Sequence, residues 1–165
     1  MRIKSIMAYE FEELSEEVQK KVLNNMQDIN VNYEWWDYTY EDAMNIGLKI
    51  DEFDLDRKSY VHGKFLHNAE TVANNIIKDH GETCETVKTA KDYLQELQKL
   101  RTACPIDEDE YLIDTDDIDK EFLRSLCEDY RIILQKEYEY RLSDEAIKET
   151  IKDNEYEFTE NGKLI

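Results

Sequence analysis

The sequence predicts an α+β fold, with about five or six helices packed on a small, mainly antiparallel sheet formed near both termini and residues 48–65. Three observations predict it. Apolar residues recur at spacings of three and four through most of the chain, period-two segments occur at both ends and at 48–65, and only one proline interrupts 165 residues. At this length the chain is expected to be a single domain over 1–165, with an internal boundary near 102–116 marked by Pro105.

Residues 6–12 alternate around Tyr9 and Phe11, which predicts a short strand. Ser15 with Glu16 and Glu17 then has the chemistry of a helix start, and Leu14, Val18, Val22 and Met26 form one ridge. A second helix is predicted over 33–46, placing Trp36, Tyr40, Ala43 and Met44 on its inner face and ending at Gly47. Leu48, Ile50, Phe53 and Leu55 then read as extended, with a turn at Arg57-Lys58 and a strand over 59–65. Asn68 caps a third predicted helix over 69–80, closed by Gly81, and a fourth carries Val87, Ala90, Leu94 and Leu97. A long helix reaching about residue 140 is marked by Ile118, Phe122, Leu126, Tyr130, Leu134 and Tyr138 at strict four-residue spacing. Ser143 opens a last helix, and 155–159 closes the chain as a strand.

Charge dominates the surface. Forty acidic residues against 21 basic give a formal net charge of −19. Two Trp, eleven Tyr and the single Pro nevertheless supply a packed core. Such an excess of carboxylates repels itself in the compact state and disfavours direct contact with nucleic acid or an anionic membrane. Cys84, Cys104 and Cys127 form no CxxC pair, and the first residues reach acids by Glu10, too soon for a secretory leader, so reduced thiols in a cytoplasm are expected.

Motifs for chemistry are missing where they would be informative. EF-hand spacing fails from Asp54, whose sixth position is Ser59, and from Asp114, whose sixth is Asp119. His62, His67 and His80 have no metal-ligand spacing, the glycines are isolated, and no nucleophile motif occurs. No metal or cofactor is therefore expected.

Two features remain as candidate binding residues. The first is the tract Asp107, Glu108, Asp109, Glu110, Asp114, Asp116, Asp117, Asp119 and Glu121, which holds a single base, Lys120. It serves either as a solvated loop and helix start or as a strip presented to a basic partner. A second acidic series runs from Glu137 to Glu157. The other feature is the aromatic run at 33–40, where Trp35 and Tyr38 point away from the Trp36–Tyr40 face and are either a second packed layer or an exposed anchor. The ridges at 87–97 and 118–134 offer apolar surface that a second copy would cover, and a homodimer is expected on that ground.

The segments YEFEELSEE near the start, EWWDYTYEDAMNIGLKIDEFDLDR (34–57), HGETCETVKTAKDYLQEL (80–97) and EYEYRLSDEAIKETIKDNEYEFTENGKLI (137–165) resemble a family of small acidic proteins encoded by bacteriophages and prophages, usually uncharacterised or labelled antitoxin-like. The resemblance covers nearly the whole chain, least around 102–116, and brings no catalytic motif with it. It implies an accessory protein acting in the cytoplasm of a host bacterium. With the charge, it leads to the expectation of a non-enzymatic inhibitor of a basic host nucleic-acid-binding protein or complex, in the specific form of anti-CRISPR or other anti-defence activity by nucleic-acid mimicry. An antitoxin neutralising a basic toxin is the alternative, and a small hydrolase using histidine and carboxylates is the second.

Overall fold

A computed structural model describes residues 7–103 and 114–165. The fold is α+β, with six α-helices and a two-stranded antiparallel sheet among the described residues. The elements are a 3-10 turn Phe11–Glu13, α1 (Glu16–Asn25), α2 (Asp37–Ile46), β1 (Leu48–Asp54), β2 (Tyr60–Phe65), α3 (Ala69–Asp79), α4 (Glu85–Ala103), α5 (Asp116–Arg141) and α6 (Asp144–Asp153). The chain divides into two compact units, one made of Met1–Trp35 with Lys136–Ile165, the other of Trp36–Gln135. The boundary expected near 102–116 lies mostly outside the described residues; the divisions fall at 35/36 and 135/136.

The first unit is built from both ends of the sequence. Phe11, Leu14, Val22, Leu23, Ile147, Ile151 and Phe158 form its apolar centre. Tyr9 and Phe158 exchange backbone hydrogen bonds of 2.8 and 2.9 Å, and Phe158 bridges Leu164 in turn. The expected meeting of the two ends therefore occurs, but as isolated bridges and not as strands of the 48–65 sheet. Two or three residues of pairing suffice because burial of Phe11 and Phe158, in edge contact at 6.4 Å, supplies what a longer ladder would. Gly162 (φ +80) makes the final turn, where a β-carbon would meet Val18 and Val22 at 2.9 Å.

The second unit holds α2, the β1–β2 hairpin, α3, α4 and α5 through Gln135. Leu48 pairs with Phe65 and Ile50 with Gly63, but Glu52 pairs with His62, so Asp51 is an extra residue on β1. This bulge leaves Asp51 and Glu52 exposed together and turns Phe53 back toward the face of Leu48 and Ile50. Asn68 Oδ1 accepts the Thr71 amide at 2.8 Å and starts α3 as expected. Gly81 has no left-handed conformation; α3 ends instead with extended backbone at His80. Glu70 near the start of α3 takes a two-pronged 2.8 Å bond from Arg101 near the end of α4, as an antiparallel helix pair allows. The α5 ridge is inward at Phe122, Leu126, Tyr130 and Leu134, and α4 buries Val87, Ala90 and Leu97. Of the ridges on which a homodimer was expected, Leu94 and Ile118 remain half-buried and the other residues are buried within the chain.

Candidate partner-binding surface

Of the expected binding residues, Asp107, Glu108, Asp109 and Glu110 lie outside the described residues. Asp114, Asp116, Asp117 and Glu121 are exposed around the first turns of α5, where carboxylates favour the helix dipole. Asp114 Oδ1 accepts the Asp116 amide at 3.0 Å, and Asp116 lies 3.5 Å from Lys120. Asp119 is different. It is half-buried, accepts the Tyr93 hydroxyl at 2.7 Å and the Thr115 hydroxyl at 2.9 Å, and so ties α4 to α5.

Trp35 is not an exposed anchor. Only 4% of its surface is accessible, with its ring 5.6 Å from Tyr138 and the Arg141 guanidinium 5.8 Å above it. The sequence predicts a helix from residue 33, whereas Trp35 and Trp36 lie in a turn and α2 starts only at Asp37, so Trp35 does not follow the phase of that helix. Trp36 is half-buried, edge-on to Phe53 at 5.4 Å, and Tyr38 is 80% exposed.

Glu121 belongs to a cleft of about 200 Å³ between α4 and α5. Thr89, Asp92, Tyr93 and Glu96 face it from α4, and Ile118, Glu121, Phe122 and Ser125 from α5. Each set has the i, i+3, i+4, i+7 spacing of a single helical face. Tyr93 and Phe122 stack at 4.4 Å and 16° to make an apolar floor, and Asp92, Glu96 and Glu121 stand around it. Glu96 and Glu121 carry exposed neighbours on their own helices, Lys99 at 2.7 Å and Arg124 at 2.6 Å. Asp92 and Glu96 were not among the expected residues; their signal was the same one-face spacing, which mixes acids with Tyr93 and is hidden by the apolar ridge beside it. The other unit has its own acidic cleft of about 540 Å³, to which Glu10, Glu12, Glu155 and Glu157 contribute.

The remaining titratable cluster is internal. Tyr130, fully buried, donates to Asp42 Oδ2 at 2.7 Å. His80 Nε2 lies 3.4 Å from Asp42 Oδ1 without hydrogen-bond geometry, and its Nδ1 is 2.8 Å from Thr86 Oγ1. Close approach of His80 holds the Asp42 carboxyl below its ordinary range, against the opposing effect of burial. Burial, with Asp42 second, raises the Tyr130 hydroxyl. A hydroxyl, imidazole and carboxylate in series has the parts of a hydrolytic relay, but Thr86 is 2% exposed and offers no substrate a path to its oxygen. The cluster instead gives the buried Tyr130 and Thr86 hydroxyls their partners, while His80 Nε2 makes no hydrogen bond. His62 is spent on the surface, 3.0 Å from Glu52 and stacked on Tyr60. Cys127 is buried, its thiol pushed up to about 11, and Cys84 is exposed; neither is in a disulfide.

No group of three or more acidic, histidine or cysteine side chains is arranged to hold a metal ion among the described residues, and no described helix is long and apolar enough to cross a membrane. Comparison with known protein families, curated proteins and solved structures finds no match to this chain.

Proposed function

We propose that this protein is a non-enzymatic inhibitor that binds a basic nucleic-acid-binding protein and occupies the site where phosphates would lie. On this reading it works in the cytoplasm of a bacterial host, as an anti-CRISPR or other anti-defence factor. The observation that carries the reading is the accessible carboxylate surface around α5 and the α4–α5 cleft, on a chain of net charge −19. Its ion pairs at the cleft rim are exposed contacts between residues three apart, each of the kind worth roughly 0.2–1 kcal/mol, so little holds these groups to the protein's own cations. A partner's Lys and Arg exchange for them readily, and complementary fields speed the encounter.

The test is capture from a bacterial lysate on immobilised protein at about 0.1 M salt, followed by elution with duplex DNA or with salt. A retained basic nucleic-acid-binding protein, released by both and inhibited in its nucleic-acid binding by the free chain, is the expected outcome. Retention of nothing, or of a protein that DNA does not displace, overturns the proposal.

A further inference from the structure

We propose that the α4–α5 cleft is an anchor subsite for one long cationic side chain, arginine or lysine, of the basic partner. The inference rests on the binding reading above and names where its specificity resides. At about 200 Å³ the cleft is below the ~300–1,000 Å³ typical of small-molecule sites, and fits a side chain better than a whole ligand. Its floor is apolar through Ile118, Tyr93 and Phe122, and its rim is acidic through Asp92, Glu96 and Glu121. A cationic side chain has the complementary order, with methylenes along the floor and a charged head among the carboxylates. Other occupants fit worse. A phosphate would face three like charges, and an apolar helix would bury those carboxylates without partners.

Two further features favour the cation. Asp92 has no ion pair among the described residues, whereas Glu96 and Glu121 hold only exposed neighbours. The walls are also set in advance, because the Tyr93 hydroxyl is fixed to Asp119 and the Tyr93 ring to Phe122. A cleft ordered before binding loses less entropy when it is filled.

The probe is a nona-arginine peptide, titrated into the isotope-labelled full chain and followed by amide NMR and calorimetry. Shifts are expected to concentrate at residues 89–96 and 118–125. The triple variant Asp92→Asn, Glu96→Gln, Glu121→Gln is expected to raise Kd at least about tenfold. A control with the same change of charge on exposed carboxylates elsewhere (Asp28→Asn, Asp153→Asn, Glu160→Gln) is expected to raise it less than about threefold, as long-range charge alone would. Ser125→Phe narrows the cleft without altering charge and is expected to weaken binding as much as the triple variant. Equal losses in the two triple variants, diffuse shifts, or unchanged binding in a folded Ser125→Phe overturn the subsite while leaving the binding reading intact. Failure of the wild-type chain to bind either the peptide or any basic protein overturns both.

Discussion

The two units handle internal polarity in opposite ways. In the unit made from the chain ends, the inward polar groups are an amide and a cation. Asn30 accepts the Thr150 hydroxyl at 2.7 Å and donates to the Arg141 carbonyl at 3.3 Å. The Arg141 guanidinium donates to Glu137, the Tyr33 hydroxyl and the Trp35 carbonyl. In the 36–135 unit three inward hydroxyls end on aspartates, Tyr130 on Asp42, Tyr93 on Asp119 and Thr89 on Asp129, while Thr86 pairs with His80. A charge of −19 is therefore not one uniform coat. Some aspartates are acceptors for the core, and others, such as Asp114, Asp116 and Asp117, stand exposed at the surface.

The strongest way to break this distinction is at Asp42. Asp42→Ala leaves the Tyr130 hydroxyl buried with no acceptor and is expected to lower stability by about 2 kcal/mol in urea unfolding. Asp42→Asn keeps an acceptor and is expected to lose under about 1 kcal/mol. The folded carboxyl of Asp42 lies below its unfolded value, so its stabilising contribution is present above about pH 4 and lost as pH falls through the folded value. The gap between wild type and Asp42→Asn should accordingly close in acid. Equal losses from Ala and Asn at pH 7 would show that Asp42 is not the acceptor the core requires.

Much of this organisation could be read in advance, and the failures have physical causes. Asn68 and Ser143 announced two helix starts because a cap needs only its own sequence neighbours. Ser15 has the same sequence signal, yet its side chain makes no capping bond. The spacing Leu48, Ile50, Phe53, Leu55 contains the bulge, since its step of three breaks a period of two where Asp51 is inserted. Which segments pair was not legible. Period-two runs at the ends and at 48–65 look alike, and tertiary burial alone sends the former to Phe158 and the latter to a separate hairpin. Asp42 and Tyr130 are 88 residues apart, and no local pattern joins them. The cleft was half legible: Glu121 was expected from charge, but Asp92 and Glu96 become neighbours of it only once α4 and α5 pack.

Asp129 sharpens the comparison from the other side. Burial pushes its carboxyl above the ordinary range, against the lowering effect of the Thr89 hydroxyl that donates to it at 2.7 Å. A raised folded value means that the stabilising contribution belongs to the protonated form, present below the unfolded value and lost as pH rises through the folded one. At pH 7 the ionised group weakens the fold. Asp129→Asn keeps an acceptor for Thr89 and removes that charge, so a gain of up to about 1 kcal/mol is expected, shrinking as pH is lowered. A loss at pH 7 would mean that the carboxylate itself, and not an acceptor, is needed beside Thr89.

The smallest expected effect lies in the other unit, at the end of α6. The Glu155 amide donates to the Lys152 carbonyl at 3.1 Å and the Tyr156 amide to Ile151 at 3.0 Å, the paired bonds that close a helix through one left-handed residue. That residue is Glu155, with φ +50, where glycine is the usual occupant. Left-handed backbone costs a residue with a β-carbon roughly 1–2 kcal/mol, while glycine gives back about 0.4–1 kcal/mol through the freedom of the unfolded chain. Glu155→Gly is therefore expected to stabilise by about 0.5 kcal/mol, visible as a higher urea midpoint at unchanged slope. Because Glu155 also contributes to the acidic cleft, relief of repulsion could produce a similar gain. Glu155→Gln separates the two causes, since it removes the charge and keeps the β-carbon. A gain in Gly and none in Gln assigns the effect to backbone strain; equal gains would assign it to crowding of the carboxylates and bring this cleft closer in character to the one between α4 and α5.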